Sequence, residues 1–223
     1  MTALWSPTVL ADEHGDGGGK ADEQEADEWP EFIAEDHEPD PYEFEGDGSE
    51  VREDVEIEDG LTVVQATYDH SGISNFIVEL VPEEGNFDQL FQNELEPYEG
   101  ARAAVLDGGT YLLDVTADGP WTVDIYQPRA EEGEFLPREF EGESDRVYGP
   151  FAFEESHVAT GSHAGERNYI VEVLPMKLDA FGGVTELVFN EIGTVETAET
   201  AFRFDGIGWI GVQADGEWEL AME

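Results

Sequence analysis

The chain has 223 residues, in which 55 Asp and Glu face nine Lys and Arg for a formal net charge of -46, and it has no cysteine. Disulfides, thiolate catalysis and Cys-ligated metals are excluded, and nucleic-acid backbones and anionic membranes are disfavoured because both are bound through Lys and Arg. Such an excess of one sign opposes a compact state unless salt screens it; at about 1 M salt the Debye length falls to roughly 3 Å.

In chain order, residues 1–11 (MTALWSPTVLA) are apolar and end in Val9, Leu10 and Ala11 before Asp12. That ending fits the trailing part of an export signal, but the basic n-region of such a signal is missing; an ordinary chain start is the other reading. Residues 12–42 are acidic and rich in Gly and Pro. They cannot bury enough surface to offset their ordering entropy, so 1–42 is expected to be a disordered acidic tail. Within it Trp29, Phe32 and Ile33 form an apolar island, either solvated or docked on the folded part or on a partner. No apolar run approaches the roughly 20 residues of a membrane-crossing helix.

Beyond residue 42 the sequence repeats. EFEGDGSEV from Glu43 matches EFEGESDRV from Glu139, and ATYDHSGISNFIVELVP from Ala66 matches ATGSHAGERNYIVEVLP from Ala159. LFQNEL from Leu90 matches LVFNEI from Leu187, and VTADGPWTVDI from Val115 matches VQADGEWELAM from Val212. Four blocks in one order point to a tandem duplication, with modules at 43–128 and 139–223 and a linker at 129–138.

Each module reads as β. Trp121, Val123 and Ile125 alternate with Thr122, Asp124 and Tyr126; Trp218, Leu220 and Met222 repeat the pattern; Phe76, Val78 and Leu80 alternate with Ile77 and Glu79. Period two marks a strand with one buried face. Turn residues at Asp59-Gly60, Ser71-Gly72, Asp107-Gly108-Gly109 and Asp118-Gly119 delimit about seven strands per module. The last turn reads as a hairpin joining Leu112–Thr116 to Trp121–Tyr126, and one helical turn is expected around Phe87–Asn93. The expected fold class is all-β, with two tandem β-sandwich or jelly-roll-like modules. The expected core of the first module is Val55, Ile57, Val64, Phe76, Val78, Leu80, Leu113, Val115, Trp121, Val123 and Ile125.

With only Lys20 and Lys177 as lysines, the composition resembles that of proteins from extremely halophilic archaea. The segment GGTYLLDVTADGPWTVDI (108–125) resembles the closing strands of small extracellular jelly-roll modules such as the bacterial pre-peptidase C-terminal domain. The shared features are a Gly–aromatic lead-in, alternating apolar strands and a Gly turn. The second module departs at the lead-in, where GIGWIGV replaces GTYLLDV. The resemblance implies an accessory, non-catalytic module of an exported protein and transfers no functional residue.

The repeated H-x-G-x-x-N-[FY] supplies candidate ligand-binding residues: His70 and Asn75 around Gly72, and His163 and Asn168 around Gly165. Neutral imidazole binds metals and titrates near neutrality, and His157, six residues before His163, offers a second ligand. The competing reading is turn chemistry, in which Gly supplies an unusual φ and Asn bonds the backbone. Asp47, Glu50, Glu143 and Asp145 lie near Gly-containing bends and are candidate ligands for calcium, which takes roughly six to eight oxygens; a solvated acidic face is the alternative. Trp121 and Trp218 sit on the apolar phase of their strands and read as core. Trp209, whose counterpart is Leu112, is the candidate surface aromatic for a glycan or protein ligand.

No nucleophile elbow, P-loop, dinucleotide fingerprint or H-E-x-x-H is present. The expectation is a non-catalytic binding or structural protein of a halophile, at the cell surface or secreted. Its partner there is a protein or glycan, with no nucleic acid and no transmembrane segment. The alternatives are a carboxylate- or histidine-dependent hydrolase and a cytoplasmic partner-binding protein.

Overall fold

The computed structural model describes residues 31–32, 41–70, 75–85, 87–178 and 183–223. In the first half the strands are β1 (Tyr42–Asp47), β2 (Glu50–Ile57), β3 (Gly60–Tyr68), β4 (Phe76–Pro82), β5 (Gln89–Glu94), β6 (Tyr98–Leu106), β7 (Gly109–Thr116) and β8 (Pro120–Tyr126). In the second they are β9 (Glu134–Phe135), β10 (Arg138–Gly142), β11 (Arg146–Phe153), β12 (Ser156–His163), β13 (Asn168–Pro175), β14 (Glu186–Ile192), β15 (Val195–Arg203), β16 (Gly206–Gln213) and β17 (Trp218–Met222). Among the described residues there is no helix, and so none long and apolar enough to cross a membrane.

The strands form four sheets. Their orders are β1-β8-β3-β6 and β2-β7-β4-β5 in the first half, and β10-β17-β12-β15 and β14-β13-β16-β11-β9 in the second. Apart from β9, which adds a short parallel edge to β11, the two halves share one order, that of an eight-stranded jelly roll. The fold is therefore all-β and built of sandwiches. The strand pair expected to close as a hairpin does not: β7 and β8 lie in opposite sheets, and so do their counterparts β16 and β17. Asp118-Gly119 turns the chain across the sandwich rather than back along one sheet. The helical turn expected at Phe87–Asn93 is also replaced, because β5 occupies Gln89–Glu94.

Two of the three apolar clusters fill the sandwiches. The first contains all eleven residues expected from the alternation of the first module; the second is built around Tyr169, Val171, Val173, Ile210, Val212 and Trp218. The repeated EFEG and aromatic blocks meet here. Trp121 Nε1 donates to Gly48 O and Trp218 Nε1 to Ser144 O, at 2.8 and 2.9 Å. Each indole lies on a glycine of the EFEG motif, Gly46 or Gly142, where a Cβ would strike the six-membered ring. The motif is thus a seat for a buried tryptophan.

The third cluster was not foreseen. Leu61, Val63 and Ala101 point away from the first sandwich and pack against Val147, Leu174 and Trp209, which point away from the second. The β3/β6 sheet therefore lies against the β13/β16/β11 sheet, and the four sheets stack as layers. Trp209, expected at the surface, is fully buried in this seam. Alternation reports that a side chain points outward from its own sheet, but not that a second sheet covers it.

The 129–138 linker is anchored on both halves: Arg129 Nη1 donates to Leu61 O at 2.7 Å, and β9 pairs with β11. The tail falls on residues outside those described, except for Glu31, Phe32, Pro41 and Tyr42, the last of which opens β1. Phe32 is not solvated but buried in the seam, 3% exposed.

Trp209 and Leu112 hold the same module position, one sealed in the seam and the other half-buried. W209A is expected to lower stability by about 3–5 kcal/mol, as for a large buried aromatic, and L112A by less than half of that. Urea unfolding in molar salt measures both.

Candidate functional site

The edge of the seam opens into a cleft of about 710 Å³ between the halves. The first half contributes the β5–β6 turn and Arg102; the second contributes the β10–β11 turn, the β12–β13 loop and the β16–β17 turn.

Asp145 is its anchor and is 2% exposed. Its Oδ2 accepts from Arg102 Nε at 2.5 Å and from Tyr98 OH at 2.9 Å, and its Oδ1 accepts from Ala214 N at 2.9 Å. Its backbone carbonyl takes Ala101 N at 3.1 Å, which covers the free edge of β6. Arg102 also donates to Phe91 O at 3.0 Å and reaches Glu94 at 3.4 Å; Arg167 holds the other Glu94 oxygen at 2.9 Å. Burial opposes the charge on Arg102, but Asp145, Tyr98 and Glu94 together hold its pKa above the ordinary value. Burial also pushes the Tyr98 hydroxyl well up, with Asp145 adding to it. At Glu94 burial outweighs the two arginines, and its pKa is raised.

This arrangement is specific to the second copy. In the first, Ser49 Oγ caps Ala117 N at 3.2 Å, the place that Asp145 and Ala214 take in the second. Replacing a hydroxyl by a longer carboxylate keeps the cap and adds a reach across the seam to Arg102.

The β12–β13 loop forms the adjoining wall. Asp215 accepts from the backbone N–H groups of Glu166 and Arg167 at 3.0–3.1 Å. Behind it, His163 is buried, with Nδ1 at 2.9 Å from Gly193 O and Nε2 at 3.3 Å from Asp215 Oδ1. Gly165 closes over the pair, since a Cβ there would meet both His163 Nε2 and Asp215 Oδ1. Burial raises the pKa of Asp215, but the two N–H groups and His163 outweigh it and hold it below the usual carboxylate range.

The two motif histidines are not equivalent in the fold. His163 sits across from Trp218, whereas Tyr68 sits across from Trp121. His163 stacks on Tyr169 at 5.2 Å, as Tyr68 stacks on Phe76 at 4.7 Å. Tyr68 OH bonds Asp118, the counterpart of Asp215. His70 takes the place of Gly165, lying over Gly119 and 3.8 Å from Asp118. Gly72 lies outside the described residues. His157, at the far end of β12, bonds Glu154 N and Glu223 O. Six residues of extended strand separate it from His163 by about 20 Å, so the two cannot share a metal.

Among the sequence candidates, the cleft gathers Glu143, Asp145 and Asn168, with His163 behind its wall. Asn75 touches it through a 2.6 Å bond to Asn93. Asp47 and Glu50 lie at the β1–β2 turn instead, where Glu50 pairs with Arg52, and Trp209 lies in the seam. Both Asp145 oxygens are engaged, and among the described residues no group of three or more His, Asp or Glu is arranged to hold a metal. Arg102, Tyr98, Glu94, Arg167 and Asp215 escaped the sequence reading. The signal for them lay where the copies differ, at Ser49 against Asp145, and in the scarcity of arginine. Glu96, Glu99, Glu143 and Glu166 also line the cleft, so it repels anions and suits cationic or hydroxyl-rich groups.

No protein-family model matches the chain, and a search of curated proteins finds no match to it.

D145N is expected to cost about 3 kcal/mol, because it takes the nearer of two counter-charges from the mostly buried Arg102 and leaves only Glu94 at 3.4 Å, and D145N/R102M is expected to regain most of it. Urea unfolding in molar salt tests this. Asp215, with its folded pKa below the unfolded value, contributes stability that is complete above about pH 4 and is lost as pH falls through the folded value. A flatter acid limb for D215N in pH-dependent urea unfolding is the expected result.

Proposed function

We propose that the protein is a non-catalytic binding or structural protein of a high-salt environment, held at the cell surface or secreted. Two jelly rolls act as one rigid acidic body, and the inter-half cleft is its ligand-facing surface. The observation that carries this reading is the seam. Leu61, Val63, Ala101, Val147, Leu174 and Trp209 join the halves through an apolar face that neither sandwich needs for its own core. Arg102 and Asp145 lock the edge of that face. A fixed relation between two modules serves presentation of a surface, and the acid on the outward strand positions keeps that surface hydrated. The acidic rim of the cleft favours a cationic protein segment or a glycan over a phosphate-bearing partner.

Salt is the direct test. Lowering it from molar to about 0.1 M lengthens the Debye length to about 10 Å, and the β circular-dichroism signal and the burial of tryptophan are expected to be lost together in one transition. Retention of both at low salt would remove the high-salt part of the reading. Surface proteolysis of intact source cells is expected to cleave the protein; recovery only from the cytosolic fraction would remove the surface part.

A further inference from the structure

Glu31 and Phe32 are separated from β1 by residues 33–41, yet they are fixed where the two halves meet. The Phe32 ring enters the seam edge-on to Tyr126, with centroids 5.1 Å apart. Its carbonyl accepts from Trp209 Nε1 at 2.9 Å, and the Glu31 carbonyl accepts from Gly149 N at 2.9 Å. Two successive carbonyls and one aromatic ring are thus read by two donors and one hole.

The host side is built for this. The β11–β16 register is irregular between Tyr148 and Phe151, which takes Gly149 out of the ladder and leaves its N–H facing outward. Gly149 has φ +140°, and a Cβ there would lie 2.7 Å from Trp209 Cδ1; only glycine combines this backbone with this approach. Trp209 has a buried indole N–H that needs an acceptor. At the corresponding positions the first half carries Glu53 and Leu112, which supply neither the glycine backbone nor the indole donor. The irregular register is common to both halves, between Arg52 and Val55 in the first, but the glycine and the indole belong to the second half alone. Glu31 also borders a shallow cleft with Tyr148 and Arg138.

We propose that the seam carries a peptide-recognition socket for a Glu–Phe segment held in a turn, and that its resident ligand is the chain's own Glu31–Phe32. Recognition consists of the Gly149 and Trp209 donors reading the backbone and the hole beside Tyr126 reading the aromatic ring. The segment spans the boundary between the halves, since Tyr126 belongs to the first and Trp209 to the second, and so it latches them together. The socket stands independently of the cleft and of where the protein resides.

The experiment is amide and indole hydrogen exchange by NMR on the full-length chain in molar salt. In F32A the Trp209 indole N–H, assigned through W209F, and the Gly149 amide are expected to exchange at least about ten-fold faster, as for a locally opened site. An unlabelled peptide of residues 28–36 added in trans is expected to restore their protection saturably, whereas the same peptide with F32A is not. F32L covers the case in which F32A does not fold: it keeps an apolar side chain in the hole, and the wild-type peptide is expected to displace its weakened segment. Unchanged exchange in F32A overturns the proposal. So does equal protection by both peptides. Faster exchange that no peptide reverses also overturns it, by reducing Phe32 to one more core residue.

Discussion

The burial of one jelly roll's outer face against another's is the constraint on which this molecule rests. A β-sandwich has two outer faces, and each is ordinarily wetted. Here Leu61, Val63, Ala101, Ala103 and Val105 make one outer face of the first half apolar. Strand pairing places Ser156, Val158, Glu199, Ala201 and Arg203 at the same positions of the second half. The contact is therefore heterologous: one face of the first half meets a different face of the second. Such a contact is open-ended unless something terminates it, and the polar substitutions on the second half do so, as capping does in repeat proteins. At the other end the first half keeps Val51, Val81 and Leu112 where the seam has Val147, Leu174 and Trp209. There Asp114 stands in the row where the second half has Gly211. A carboxylate at that place makes the face unfit to receive another sheet.

The same divergence built the cleft. Asp118 and Asp215 are retained in both halves, but their partners changed from Tyr68 to His163, and the residue above them from His70 to Gly165. Ser49 caps a backbone N–H locally, whereas Asp145 does so while bonding Arg102 and Tyr98 of the other half. The asymmetry between the halves arises where an ordinary turn position acquires a side chain long enough to cross the seam.

What the sequence made legible follows from what is local. Alternation placed Val55, Val78, Leu113 and Ile125 in the core because period two depends only on neighbours. It could not say which of two sheets a strand joins, so a turn that crosses the sandwich at Asp118-Gly119 looked like a hairpin. Nor could it say what covers an outward face, so Trp209 looked exposed and Phe32 solvated. The histidine motif misled for a different reason. Strand register makes Tyr68 the equivalent of His163 and Phe76 that of Tyr169, so the path between them is two residues shorter in the second half, and aligning His70 with His163 hides that difference. Asp145 stands beside a Gly-containing bend with Asp47, Glu50 and Glu143 as one of four candidate calcium ligands, but its partner in the fold is Arg102, which lies 43 residues away along the chain.

The chain holds only seven arginines, and their positions show where repulsion has to be countered. Arg102, Arg146 and Arg167 border the cleft, where Arg146 donates to Glu99 O and Ser144 Oγ, and Arg129 clasps the start of β3 beside the seam. Four of the seven thus stand at the boundary between the halves. The seam itself is apolar, so carboxylates of the two halves face each other chiefly along its rim, at Glu94, Glu99, Glu143 and Glu166. Salt acts on this boundary twice with the same sign. It shortens the range of the rim repulsion, and excluded salts strengthen the burial of the seam. The Arg102–Asp145 pair is mostly buried, and buried pairs are screened far less than exposed charges. The attraction across the boundary therefore survives in brine while the repulsion fades, and a chain with so few cations holds its halves together by placing them where the carboxylates meet.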